Sequence, residues 1–284
     1  MKNIGFIDHY IDEWHANNYP AMIRRSKLGG NFKVAMAWDE GPSEGRKPLE
    51  AWGREQDVAV ARSLAEVVET CDCLVVLAPD SPERQEQLAG AALRSGKPVY
   101  IDKPCTARRA GAERCWAKAK THGTPIMSCS ALRFAPQLTS TMATRFAGAR
   151  PLLASAQGPG KFDNYAIHQL EMVVRSLGCG ARRAMYCRSE IGESLVLDYP
   201  DKREGPIRLA TGHDFGITLG AVNGESFALG PLEGFFEVFI DEMLRFFETG
   251  HAAIPEQETI EVLALVETGL RARSSPNTWI DVVN

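Results

Sequence analysis

No apolar run in this chain approaches the ~18 to 20 residues that a membrane span needs, and the sequence contains no internal repeat and no low-complexity tract. Positive charge is not in excess. Lys and Arg number 32 against 36 Asp and Glu, for a net charge of −4. That balance gives no electrostatic reason to expect nucleic acid or an anionic membrane as a partner. The N-terminus lacks the basic-then-apolar layout of a signal peptide and goes straight into a strand pattern. The seven cysteines (Cys71, Cys73, Cys105, Cys115, Cys129, Cys179 and Cys187) form no C-x-x-C pair. An odd set placed mostly inside apolar patterns reads as buried free thiols in a reducing compartment, the cytoplasm.

What is present is ordinary globular material, 44% hydrophobic and 24% charged over 284 residues, enough for a real core and about two domains. The first half alternates short apolar runs with helical patterns. Asn3 to Ile7, Lys33 to Asp39, Val58 to Ala61, Cys73 to Ala78, Val99 to Asp102 and Pro125 to Ser130 read as strands. Ser63, with Glu66 three residues on, has capping-box spacing, and Pro82 after Ser81 suits the first position of a helix. Strands recurring with helices between them predict right-handed βαβ units and a doubly wound parallel sheet. Residues 40 to 57 form the one polar, Gly/Pro-containing stretch long enough to be a mobile loop. The second half opens with one amphipathic helix over 161 to 178. Strand-like runs at 183–188, 194–199, 206–211, 216–222 and 226–229 follow, then helices over 231–249 and 256–273 and a short strand at 278–283. Runs joined by short loops predict a mostly antiparallel open sheet. The expectation is α/β: a Rossmann-like parallel domain over 1–124 and an α/β substrate and oligomerisation domain over 125–284.

The stretch "DCLVVLAPDSPERQEQLAGAALRSGKPVYIDKP", Asp72 to Pro104, resembles the glucose–fructose oxidoreductase / inositol dehydrogenase / MocA (Gfo/Idh/MocA) family. Ala78-Pro79 matches the family's Thr-Pro at a strand end, and Asp102-Lys103-Pro104 its Glu-Lys-Pro tripeptide. Arg133-Phe134 matches an Arg-Phe/Tyr pair. Asn164 to Glu171 ("NYAIHQLE") matches the helix pattern Asp-x-Gly-x-His-x-x-Asp. The resemblance implies hydride transfer between a nicotinamide, NAD or NADP, and a carbon of a sugar, polyol or related small metabolite, in a homodimer or higher homo-oligomer. Lys103, His168 and Asn164 then fall at the catalytic positions. Asp8, Asp39, Ala78, Pro79 and Asp102 fall at the cofactor positions.

Two departures stand out. Asn164 replaces an aspartate, and an amide can hydrogen-bond but cannot take a proton at neutral pH. The turn after the first strand, "DHYIDE", residues 8 to 13, has three carboxylates and no glycine. A dinucleotide fold uses glycines there, so that the backbone can approach the pyrophosphate at a helix N-terminus. His9, Asp12, Glu13 and His15 are metal-ligand types, but their spacing defines no coordination geometry and no metal is assigned. The same window with Trp14 and Tyr19 offers the polar and aromatic groups that a sugar uses. His213-Asp214 reads as structural. Three readings stand: a nicotinamide oxidoreductase with an unusual phosphate loop; a non-redox descendant that binds a sugar-like metabolite or runs acid–base chemistry; and a structural subunit of an oligomer.

Overall fold

The computed structural model describes residues 1–41 and 43–283. Its contacts divide the chain into two units, Met1–Cys129 with Phe239–Ile254, and Ser130–Val238 with Pro255–Asn284.

The first unit runs β1 (Lys2–Asp8), α1 (Trp14–Arg25), β2 (Phe32–Asp39), α2 (Leu49–Gln56), β3 (Ala59–Val60), α3 (Leu64–Thr70), β4 (Cys73–Val76), α4 (Pro82–Ala92), β5 (Val99–Ile101), α5 (Arg109–Thr121) and β6 (Ile126–Met127). All six strands are parallel, in the order β3-β2-β1-β4-β5-β6. The chain order reverses between β1 and β4, and the crevice outside the carboxyl ends there is where this architecture binds ligands. Every residue of β4 is fully buried, as its unbroken apolar run requires of a strand covered on both faces. The cap forms, with its return bond one residue ahead of the Ser63 N-cap. Glu66 N–H donates to Ser63 Oγ, and the Glu66 carboxylate reaches back to the amide of Arg62. Gly5 serves packing, since a Cβ on it would lie 2.4 Å from Val67 Cγ1 of α3.

Two expectations change in this unit. Because β6 pairs with β5, the parallel sheet runs past residue 124. Residues 239 to 254 also return to the unit. Phe239 stacks on Tyr19 and Tyr100, Asp241 accepts from Ser26 Oγ, and the Phe247 carbonyl accepts from Lys2 Nζ. The stretch 40 to 57 is not a plain loop: α2 occupies its second half, anchored by the fully buried Trp52, whose indole donates to Asn17.

The second unit runs α6 (Pro136–Thr141), β7 (Leu153–Gly158), α7 (Phe162–Leu177), β8 (Arg183–Ser189), β9 (Gly192–Asp198), β10 (Ile207–Leu209), β11 (Gly216–Gly220), β12 (Ser226–Leu229), the start of α8 (Phe235–Thr249), α9 (Glu256–Ala272) and β13 (Trp279–Asp281). Its seven strands lie in the order β12-β11-β7-β10-β9-β8-β13, antiparallel except for the β7–β10 pair. Alternate residues, among them Ala154, Ala156, Ala184, Tyr186, Leu195 and Leu197, are buried beneath α7 and α9. The residues between them lie on the open face.

Candidate functional site

At the carboxyl edge of the parallel sheet the structure gathers Asp8, Asp39, Ala78, Pro79, Asp102 and Lys103, each at or just past a strand end. Asp8 and Asp39 are register partners on β1 and β2. Ala78 holds φ of +81°, a left-handed conformation that a non-glycine residue adopts at a cost of order 1 kcal/mol. Lys103 is half-buried and is followed by a cis peptide to Pro104.

The turn between β1 and α1 is filled by its own side chains. Glu13 is the N-cap of α1, and its carboxylate accepts from the amides of His15 at 2.8 Å and Ala16 at 2.5 Å. It is only 2% exposed. Ile11 is fully buried, and its amide donates to Asp39 Oδ2 at 3.0 Å. Asp12 is tied to the β2–α2 connection: Oδ2 accepts from the Lys47 amide at 2.9 Å and its carbonyl from Arg46 Nη1 at 2.7 Å. The Arg46 guanidinium also lies 4.8 Å over the Tyr10 ring, and His9 meets Glu40 at 2.7 Å.

Beneath this turn sits a charge cluster. His15 Nδ1 lies 3.2 Å from Glu13 Oε2 and 3.0 Å from Asp102 Oδ2. The Tyr100 O–H is shared between the other Asp102 oxygen, at 3.1 Å, and the Cys129 carbonyl, at 3.0 Å. Burial works against a charged His15, but Asp102 and Glu13 overcome it, while Lys103 opposes them, so its pKa rises. Burial, with Glu13 adding to it, pushes Asp8 well above the ordinary carboxylate range. Burial also raises Asp39, against the pull of the Ile11 and Gly41 amides.

The remaining predicted residues lie in the second unit, on α7. Asn164 is exposed on the first turn, and His168 is half-buried one turn later. His168 Nδ1 is 2.7 Å from Ser130 Oγ, and its ring packs against Tyr165 and Phe215. Phe215 also walls an open cleft of 480 Å³ that His213, Asp214, Gln157 and Thr218 help line. His213-Asp214 thus sits in the loop leading into β11. Arg133 and Glu171, both from the motif positions, form a buried pair at 2.5 Å.

The roles of Glu13, His15 and Ser130 escape sequence reading. An acid just ahead of an amphipathic helix was the only available sign of the Glu13 cap. No group of three or more ligand-type side chains among the described residues could hold a metal ion.

Residues 5–129 match the family model GFO_IDH_MocA, described as "Oxidoreductase family, NAD-binding Rossmann fold". Over those residues the chain is similar to the Gfo/Idh/MocA oxidoreductase family. The whole chain is similar in fold to scyllo-inositol dehydrogenase from Lactobacillus casei, solved with NAD(H) and scyllo-inositol. That likeness has a TM-score of 0.82 at 11% identity, over 100% of this chain and 99% of that one. It is likewise similar to myo-inositol 2-dehydrogenase from Lactobacillus plantarum, with a TM-score of 0.80 at 12% identity over 99% of each chain. An oxidoreductase from Agrobacterium radiobacter, in complex with NAD+, L-tartaric acid and magnesium, has a TM-score of 0.76 at 13% identity, over 99% of this chain and 98% of that one. At these identities the likeness is one of fold. No curated protein matches the sequence.

The family implies a dinucleotide, and the turn does not fit one in the usual way. The place of the glycines is taken by Asp8 to Glu13, the helix amides are already bonded to Glu13, and Asp39 is already bonded to the Ile11 amide. No helix among the described residues is long and apolar enough to cross a membrane.

Proposed function

We propose that this oxidoreductase-family chain acts on a sugar, a polyol or a related polyhydroxylated metabolite by acid–base chemistry at a hydroxyl-bearing carbon. Lys103 is the group that takes or gives the hydroxyl proton. The observation that carries this reading is the setting of Lys103. It follows Asp102, which is 1% exposed, hydrogen-bonded by Tyr100 and ion-paired with His15, so the lysine leaves the sheet edge from a buried, paired neighbour at the crevice where this architecture takes ligands. In the second unit, His168, oriented by Ser130, is a proton-transfer type of group, and Asn164 a hydrogen-bonding one.

The second reading is an NAD- or NADP-dependent dehydrogenase of the same substrates. It is favoured by the family match over 5–129 and by the position of Asp39 at the end of β2. We also propose a homo-oligomer built through the open face of the seven-stranded sheet.

The test is a panel of inositols and sugars, assayed for thermal stabilisation and for turnover with and without nicotinamide, on the parent chain and on Lys103→Met. At least one polyol should stabilise the parent. The variant should lose turnover with its melting temperature almost unchanged. A large loss of stability in Lys103→Met would make the lysine structural and end this reading.

A further inference from the structure

We propose that Glu13 is a resident anion. It takes, from within the chain, the place at the α1 N-terminus that the dinucleotide pyrophosphate takes in this fold, so the crevice does not accept NAD or NADP through that turn. A helix start presents unpaired amides and the positive end of the peptide dipoles, which together attract a phosphate. Here the amides of His15 and Ala16 both point at the Glu13 carboxylate, at 2.8 and 2.5 Å, and the Asn17 amide is bonded to the Glu13 carbonyl at 3.0 Å. A phosphate arriving at this point would meet a carboxylate that is 2% exposed and fixed by those bonds.

Two further contacts of a bound dinucleotide are also pre-empted. The acid at the end of β2, which holds a ribose hydroxyl in this fold, accepts the Ile11 amide at 3.0 Å. The side chain of Ile11 is itself fully buried in the turn. The β2–α2 connection is bonded down onto Asp12 through Arg46 and the Lys47 amide. The resident anion has a second partner that a phosphate would not leave in place. Glu13 Oε2 lies 3.2 Å from His15 Nδ1, which in turn lies 3.0 Å from Asp102. Glu13 therefore joins the helix start to the base of the Lys103 segment.

The experiment is titration calorimetry of the full chain with NAD, NADP and inorganic pyrophosphate, on the parent and on Glu13→Ala. Imidazole NMR follows His15 in the parent and in Glu13→Gln. The parent should bind none of the three ligands tighter than about millimolar. Glu13→Ala, with two helix amides released and one charge removed, should bind pyrophosphate at least about tenfold tighter than the parent. In Glu13→Gln, which keeps an oxygen on the helix amides but no charge, the His15 pKa should fall. Micromolar binding of NAD or NADP by the parent overturns the proposal. So does an unchanged His15 titration in Glu13→Gln, a measurement that stands even where Glu13→Ala does not fold. Failure of the Lys103→Met assay would leave these titrations untouched, so the two readings fail separately.

Discussion

Replacing Asp8 with asparagine should stabilise the protein, and by more as the pH rises. Asp8 is fully buried at the end of β1. Oδ1 accepts the His9 amide at 2.6 Å, whereas Oδ2 has no hydrogen-bond partner among the described residues. Burial, then the neighbouring Glu13 carboxylate, raise its pKa well above 3.8, and the amides of His9 and Tyr10 do not offset them. The folded chain therefore keeps a proton here that the unfolded chain releases as the pH passes 3.8. The stability contributed by this proton is fully present below that value and is lost as the pH climbs to the folded pKa. Across that window one such group gives a slope of about −1.4 kcal/mol per pH unit. Asparagine has the same shape, keeps the Oδ1 acceptor and has no proton to lose, so its curve lacks this slope. Because Asp8 and Glu13 face each other, the proton belongs to the pair, and the substitution reads the pair's net effect. The assay is denaturant unfolding of both proteins between about pH 5 and pH 8. The gap between them should widen with rising pH for as long as the folded chain keeps this proton. Parallel curves would show Asp8 ionised in the folded state and refute the reasoning.

Two further outcomes are expected from the second unit. Arg133→Leu should cost about 3 to 5 kcal/mol, because it strands the Glu171 carboxylate, which is 1% exposed, and also unpairs Glu258; Arg133→Leu combined with Glu171→Leu should recover part of that, Glu258 still lacking its partner, and a single-variant loss below about 1 kcal/mol in denaturant unfolding would count against it. On the open face of the seven-stranded sheet, Trp279, Met185 and Val196 are cross-strand partners in one apolar row, so sedimentation should show a dimer or larger and Val196→Glu should weaken it, whereas a monomeric parent would sink the oligomer proposal.

The parts of this fold that the sequence displayed are those decided by near neighbours. β4 is apolar at every position because it is covered on both faces, and the Ser63–Glu66 cap is complete within four residues. β7 left no such mark. Its residues, Leu-Ala-Ser-Ala-Gln-Gly, have low strand preference, and they form a strand because β11 and β10 pair with them on either side. Small residues are what the position demands: Ala154 and Ala156 are buried under α7, and a Cβ on Gly158 would lie 2.2 Å from the Gln169 amide. In the 40–57 stretch, Pro48 and Gly53 suggested a loop. Pro48 instead precedes α2 as its N-cap, and Gly53 lets α2 approach the Val58 carbonyl. At the candidate site, Asp102-Lys103-Pro104 was visible as a local motif. The pairing of His15 with Asp102 was not, since parallel topology alone brings the start of α1 beside the end of β5.

The opening turn shows how a binding fold can keep its architecture while its electrostatics change hands. A helix N-terminus at a topological switch point calls for an anion whatever the sequence, because its amides and dipoles are properties of the backbone. Glycines leave that demand to be met from solution, since without side chains the turn is open and the amides are free. Here the chain meets the demand itself. Glu13 supplies the charge, Ile11 fills the space, and Asp39 turns inward to the Ile11 amide. Having an internal anion then has a price in neighbouring chemistry: with Asp8, Glu13 and Asp102 crowded together, one carboxyl is driven toward its neutral form and His15 toward its charged one. What reaches the crevice from solution therefore meets carboxylates already engaged by His15 and the helix amides, beside a lysine just past a strand end. A carboxylate at that point repels a diphosphate more than it does a neutral, hydroxyl-bearing ligand. Glu13 is common to both: it occupies the helix start and carries the charge that sets this preference.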